Sequence, residues 1–243
     1  MLPASQVRTL VRAMALLCLA GLCVSSAKAE PAPPMQLAAL APVDDAIQPA
    51  SGPFGMIAAH SGAMSAKWRS LQPAIDMEAR ILDLCRSDAQ LCPAAAASFL
   101  AIIDTARNRA GRARIGEINR AINLAIRPED DRARYGVADI WTTPLMTFAL
   151  GAGDCEDYAI AKYVALRAAG IAPDDLRIVI VHNPALRQDH AVTAARVDGE
   201  WLILDNRHML MLSDKQLTTM VPLVTLDHED AKPPVTVAEA SRT

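Results

Sequence analysis

The sequence predicts an α+β fold in which a helical first half leads into one helix packed on an antiparallel meander. Three observations carry this expectation. Apolar residues recur every three or four positions between Trp68 and Ala125, three short β-rich runs fill residues 176–204, and an Asp198-Gly199 pair joins the last two of those runs.

The first helix is expected over Trp68 to Cys85, from Leu71, Ile75, Ile81, Leu82 and Leu84, with Pro73 near its start. Pro93 suits the first position of a second helix through Phe99, Leu100 and Ile103. Ile115, Ile118, Ile122 and Ala125 form the stripe of a third, which Pro128 ends. Gly151 to Gly153 reads as a loop, Cys155 to Ala169 as a helix, and Gly170 as its terminator. Strands are expected at Leu176–Val181, His190–Val197 and Glu200–Leu204, the last two closed by the Asp-Gly turn.

The termini read differently. Arg8 and Arg12 precede an apolar run from Ala13 to Val24 and an Ala27-Lys28-Ala29 site, the layout of a secretory signal peptide cleaved after Ala29. Twelve apolar residues rise only about 18 Å as helix against a hydrocarbon core of roughly 30 Å, so a permanent span is not expected, nor is one later in the mature chain. Residues 30–60 form a Pro/Ala-rich tether, 61–134 a helical lobe, 135–234 the catalytic helix and sheet, and 235–243 a frayed tail. The expected compartment is the periplasm.

The net charge of −3 and an aromatic content of 4% exclude a polybasic or base-stacking nucleic-acid binder. Loss of the leader removes three basic residues and leaves 21 basic against 27 acidic. It also leaves Cys85, Cys92 and Cys155. Two readings stand for these: a short-loop disulfide between Cys85 and Cys92 with Cys155 free, or three buried, reduced thiols.

Asp154 is a natural N-cap and Asp157 sits where it completes a capping box, which puts Cys155 at the first helical position. Unpaired amides and the helix dipole there favour a thiolate. Counting back from the Asp198-Gly199 turn, His190, Val192 and Asp205 share one face of the sheet, and His190 and Asp205 are diagonal neighbours, roughly 7 to 8 Å apart by backbone. That is the arrangement of an acid orienting a base that deprotonates a thiol. His182 is the runner-up base, while His60, His208 and His228 are expected in solvent. Zinc, serine-hydrolase and phosphate-loop motifs are absent from the sequence. Asp154, Glu156 and Asp157 crowd three carboxylates beside the sulfur and should raise its pKa. A solvated acidic helix start and a calcium site, the natural choice for an oxygen-only cluster, both fit this pattern.

The segment GAGDCEDYAIAKYVALRAAG, with Trp141-Thr142-Thr143-Pro144 upstream, His190-Ala191-Val192 on a strand and Leu204-Asp205-Asn206 on the next, resembles the bacterial transglutaminase-like cysteine proteinases. It looks closest to the periplasmic, calcium-dependent members that release biofilm adhesins. The resemblance runs from about Trp68 to Leu226. It implies a papain-like or transglutaminase-like core with an N-terminal helical lobe, catalytic residues Cys155, His190 and Asp205, and calcium bound by Asp154 and Glu156. It further implies a surface adhesin as protein substrate and an inner-membrane cyclic-dinucleotide receptor as regulator. The chain departs from the pattern at Met146, where relatives often carry an acid. A transglutaminase or amidase acting on envelope peptides, and a non-catalytic periplasmic binding module, are the alternatives.

Overall fold

The structure, a computed structural model, describes residues 52–56, 62–137 and 139–231. The expected leader, most of the expected tether with His60, and the expected tail lie outside those residues.

Helices α1 (Ala63–Ser87), α2 (Ala94–Arg107) and α3 (Gly111–Ala125) come first. Two short helices follow, α4 (Asp131–Tyr135) and α5 (Pro144–Leu150), and then the long α6 (Cys155–Ala168). Two-residue strands β1 (Arg127–Pro128) and β2 (Ala152–Gly153) pair in parallel between them. The main sheet holds β3 (Leu176–Asn183), β4 (Gln188–Val197), β5 (Glu200–Leu204), β6 (Leu212–Ser213) and β7 (Val221–Leu226) in the order β6-β5-β4-β3-β7, antiparallel throughout.

Trp68, Ile75, Leu82 and Cys85 form the buried stripe of α1. The helix starts at Ala63, so Pro73 lies inside it and not near its start. An internal proline costs about 3 kcal/mol. Tertiary anchors on the preceding turn offset that cost: the Trp68 indole N–H donates to the Asp227 carbonyl at 3.1 Å, and its ring stands edge-on to Tyr163 at 5.3 Å. The Cys85–Cys92 disulfide ties the end of α1 to the start of α2, with Cα atoms 4.6 Å apart, and leaves Cys155 as the free cysteine among the described residues. In α3, Ile115, Ile118 and Ile122 are buried as the stripe requires. Ala125 is exposed, and Ile126 just past the helix end is buried in its place.

The sheet is covered on both faces, which is why its strands read as nearly unbroken apolar runs. Ile178, Ile180, Ala191, Ala195, Leu202 and Leu204 join the helices in one core, and α6 is buried between this face and the other helices. Val179, Val181, Val192, Ala194, Trp201 and Ile203 form a second cluster on the opposite face, closed by Phe54, Leu217 and Met220. At the β4–β5 turn Asp198 (φ 52°) and Gly199 (φ 77°) both take the left-handed conformation that a two-residue hairpin of this twist requires. The register is the expected one, from Val197↔Glu200 to Thr193↔Leu204. Gly170 (φ 93°) closes α6, with its N–H on the Arg167 carbonyl and that of Ile171 on Leu166.

Candidate active site

Local chemistry sets the N-terminus of α6. The Asp154 carboxylate accepts from the Asp157 N–H and the Asp157 carboxylate accepts from the Asp154 N–H, the reciprocal pair of a capping box. Cys155 therefore occupies the first turn, where backbone amides have no intrahelical acceptor. The Asp157 carboxylate also accepts from the Thr142 N–H at 2.8 Å and the Thr142 hydroxyl at 2.7 Å, which fixes the segment before α5 to the same helix tip.

His190 Nε2 and Asp205 Oδ1 lie 2.8 Å apart, and both side chains are almost wholly buried. Burial by itself would raise the Asp205 carboxyl, but the His190 hydrogen bond and charge, the Arg207 N–H and the His208 charge together hold it below the usual carboxylate range. The other imidazole nitrogen, Nδ1, is buried and carries no hydrogen bond. The β4–β5 ladder stops at Thr193↔Leu204, so this pair forms where β5 has left β4.

Helix α6 packs on the face of β4 that carries Ala191 and Thr193, where the Thr193 hydroxyl donates to the Ala159 carbonyl at 2.8 Å. The Cys155 sulfur lies against the same strand, with the Ala191 N–H directed at it. Its thiol donates to the Glu156 carboxylate at 2.8 Å. Burial, then the charge and hydrogen bond of Glu156, push the thiol far above its ordinary range, and the Ala191 N–H opposes them only in part. The sequence expectation of an acid-crowded thiol thus describes the local electrostatics.

The carboxylates divide into two groups. Asp154 meets Asp157 and Asp131 of α4, with one oxygen from each lying within 4.8 Å of the others. Glu156, paired with Asp154 in the sequence reading, is engaged by the Cys155 thiol. Asp131 arrives through the β1–β2 ladder, in which the Arg127 N–H bonds Gly151 at 3.0 Å and the Glu129 N–H bonds Gly153 at 2.9 Å. Sequence reasoning missed Asp131 as a member, because only this pairing brings it to α6. Calcium–oxygen bonds of about 2.3 to 2.6 Å put ligand oxygens up to roughly 5 Å apart across the ion, so an all-carboxylate set of this spacing fits calcium. Burial, then Glu156, Asp157 and Asp131, push Asp154 up to about 8. Asp157 is also raised, chiefly by burial.

The remaining histidines have other partners. His182 Nδ1 meets Asp189 at 2.8 Å on the surface. His208 is exposed. His228, expected in solvent, is half-buried and lies 2.9 Å from Glu229. The Trp141 indole N–H donates to Asp139 at 2.9 Å, so it is not free for an oxyanion. At the Met146 departure, the acid at the start of α5 comes from α1: Glu78 accepts from the Leu145 N–H at 3.0 Å and from the Thr143 hydroxyl. A cleft of about 530 Å³ opens over Cys155, bounded by Asp154, Glu156, Asp189 and Arg207. A cavity of about 650 Å³ beside Phe54, Trp201 and Lys215 is lined by neither cysteine nor histidine.

A helix presenting cysteine to an antiparallel sheet that carries a His–Asp pair defines a thiol-hydrolase arrangement. The family model described as "Bacterial transglutaminase-like cysteine proteinase BTLCP" matches residues 77–218, more than half of the chain. The chain belongs to this family and is a cysteine peptidase. Legionella pneumophila LapG is similar in structure, with a TM-score of 0.51 and 27% identity over 62% of this chain and 84% of that one. Calcium-bound LapG gives 0.52 and 27%, and EGTA-treated LapG 0.50 and 28%. No curated protein matches the chain. Among the described residues no helix is long and apolar enough to cross a membrane.

Proposed function

We propose that this chain is a calcium-dependent endopeptidase of the bacterial periplasm that cleaves a large surface protein such as an adhesin, with Cys155 as nucleophile, His190 as base and Asp205 as its orienting acid. The observation that carries the reading is the buried His190–Asp205 pair, beside a cysteine at a helix N-terminus. With Nε2 held by Asp205, Nδ1 is the imidazole nitrogen left to take a proton. The reading requires the Cys155 thiol to leave Glu156 and turn to Nδ1, which accepts its proton. The thiolate attacks the peptide carbonyl, and the Cys155 N–H donates to the developing oxyanion. Imidazolium returns the proton to the leaving amine, and water, deprotonated by the same nitrogen, hydrolyses the thioester.

Asp131, Asp154 and Asp157 would hold calcium. Bound there, the ion supplies positive charge that offsets the carboxylates crowding the thiol. An inner-membrane receptor responding to a cyclic dinucleotide is the partner that the family resemblance suggests.

The test is mass spectrometry of envelope proteins from cells with the active and the Cys155→Ala chain. A new N-terminus on a surface protein, lost in the variant, is the expected result. Identical peptide sets would reject proteolysis, and amine incorporation exceeding hydrolysis would point to a transglutaminase instead.

Calcium binding has its own signature. In chelator, the melting temperature should fall from about pH 5 to about pH 7, because folded Asp154 keeps a proton that the unfolded chain has already released. A group with a raised folded pKa stabilises below its unfolded value and loses that contribution as pH rises toward its folded one. Saturating calcium should raise the melting temperature and flatten the slope. A curve identical with and without calcium would remove the ion from the reading.

A further inference from the structure

Residues 205–211 connect β5 to β6 and belong to no strand, yet they carry Asp205 and the cleft wall at Arg207. The sheet does not hold their start, because the last β4–β5 pair is Thr193↔Leu204. Helix α3 holds it instead. The Asn123 side-chain amide donates to the Asp205 carbonyl at 2.9 Å and to the His208 carbonyl at 3.1 Å. One turn earlier, the Asn119 amide donates to the His208 carbonyl at 3.4 Å and to the Met209 carbonyl at 3.1 Å. Nearer the helix start, a Cβ on Gly116 would lie 3.2 Å from Met211 Cε, so the segment runs along α3 against its direction. Spacings of three and four residues put these positions on one helix face. Both amides are costly where they stand. Asn119 is fully buried in the stripe of Ile115, Ile118 and Ile122, and the Oδ1 atoms of Asn119 and Asn123 are buried without a donor among the described residues. An apolar side chain would fill either position without that penalty, so packing alone does not account for asparagine. What each gains is a pair of carbonyl contacts on a segment outside the sheet. From Asn123 those contacts lead to the imidazole: its amide meets the Asp205 carbonyl, and Asp205 Oδ1 accepts from the Arg207 N–H at 2.9 Å and meets His190 Nε2 at 2.8 Å.

We propose that Asn123 is a positioning residue for the His190–Asp205 pair, its carboxamide fixing the Asp205 backbone where β5 leaves the sheet so that the carboxylate meets Nε2, with Asn119 anchoring the segment beyond. The inference rests on the triad reading given above. It assigns Asn123 no contact with substrate, and the effect reaches the sulfur only through Asp205 and His190. Without the Asn123 donors, the Asp205 backbone moves more freely and carries its carboxylate with it. A charge-assisted hydrogen bond weakens as its length and angle depart from the ideal, so the imidazole loses its fixed orientation.

The test uses the full chain and two readouts. One is the downfield proton resonance of the His190 Nε2–H, identified by its loss in His190→Ala. The other is the rate at which iodoacetamide alkylates Cys155 at neutral pH in saturating calcium, read by peptide mass spectrometry. Asn123→Leu keeps the size of the side chain and removes both donors. It should move or broaden the Nε2–H resonance and slow alkylation about 5- to 30-fold, within the range of coupling between residues in contact. In an Asp205→Asn background the same substitution should slow alkylation no further. A side chain with only a packing role would lower the melting temperature and leave the resonance and the alkylation rate of the folded protein as they are. That result, with Asp205→Asn slow, overturns the proposal and leaves the triad intact. Full additional slowing in the Asp205→Asn background also overturns it, because the effect would not pass through Asp205. Wild-type alkylation in Asp205→Asn removes the triad reading and this inference together. Asn123→Ala gives the same comparison where the leucine variant does not fold.

Discussion

Replacing Asp205 by asparagine should lower kcat/KM on a protein substrate by about three to four orders of magnitude, with loss of only about 1 to 2 kcal/mol of stability. The substitution keeps the size and one acceptor oxygen of the side chain. It removes the charge that stabilises the imidazolium, and it allows an amide N–H to face Nε2, which fixes the wrong tautomer. Nδ1 would then carry the proton and could not accept one from Cys155. Because the Asp205 carboxyl is held below its ordinary range, the stability it confers is present at neutral pH and is lost as pH falls through its lowered folded value. His190→Ala should cost at least as much activity, since it removes the acceptor itself. Full cleavage by either variant would break the catalytic assignment, and cleavage kinetics with a melting curve for each protein make the measurement.

Gly153→Ala should be the most damaging single methyl group near the site. A Cβ at Gly153 would lie 2.5 Å from Asp157 Oδ2 and 2.7 Å from Asp157 Cβ, closer than real Cβ contacts come. The carboxylate cannot yield cheaply, because it closes the capping box and holds both the N–H and the hydroxyl of Thr142. The expected cost is about 3 kcal/mol, or roughly 6 to 12 °C in melting temperature for a domain of this size. Calcium-dependent stabilisation should weaken with it, as Asp157 is one of the three clustered carboxylates. A variant with unchanged melting temperature and calcium response would show that the helix tip is looser than this packing implies.

Where the chain could be read in advance, the information was local. Asp154 and Asp157 make a capping box because residues three apart at a helix start face one another, whatever the rest of the fold does. Asp198-Gly199 closes a hairpin because both residues tolerate positive φ, and that turn fixed the register from Val197↔Glu200 to Thr193↔Leu204, beyond whose end His190 and Asp205 meet. Other features needed neighbours distant in sequence. Pro73 remains within α1 because Trp68 is anchored to Asp227 and Tyr163. Strand β7 lies at the far edge of β3, and Phe54 reaches Asp214 with its N–H at 2.8 Å to cover the outer face of the sheet. No spacing along the chain announces those contacts.

The sequence by itself determined where the nucleophile candidate stands on its helix, which way the hairpin turns and which carboxylate can meet which histidine, since caps, turn dihedrals and pleat alternation act over a few residues. Only the tertiary structure decided that Asp131 joins Asp154 and Asp157 while Glu156 takes the thiol. Those outcomes depend on how far each charge lies from water and from other charges, and burial of that kind exists only once separate segments have packed together.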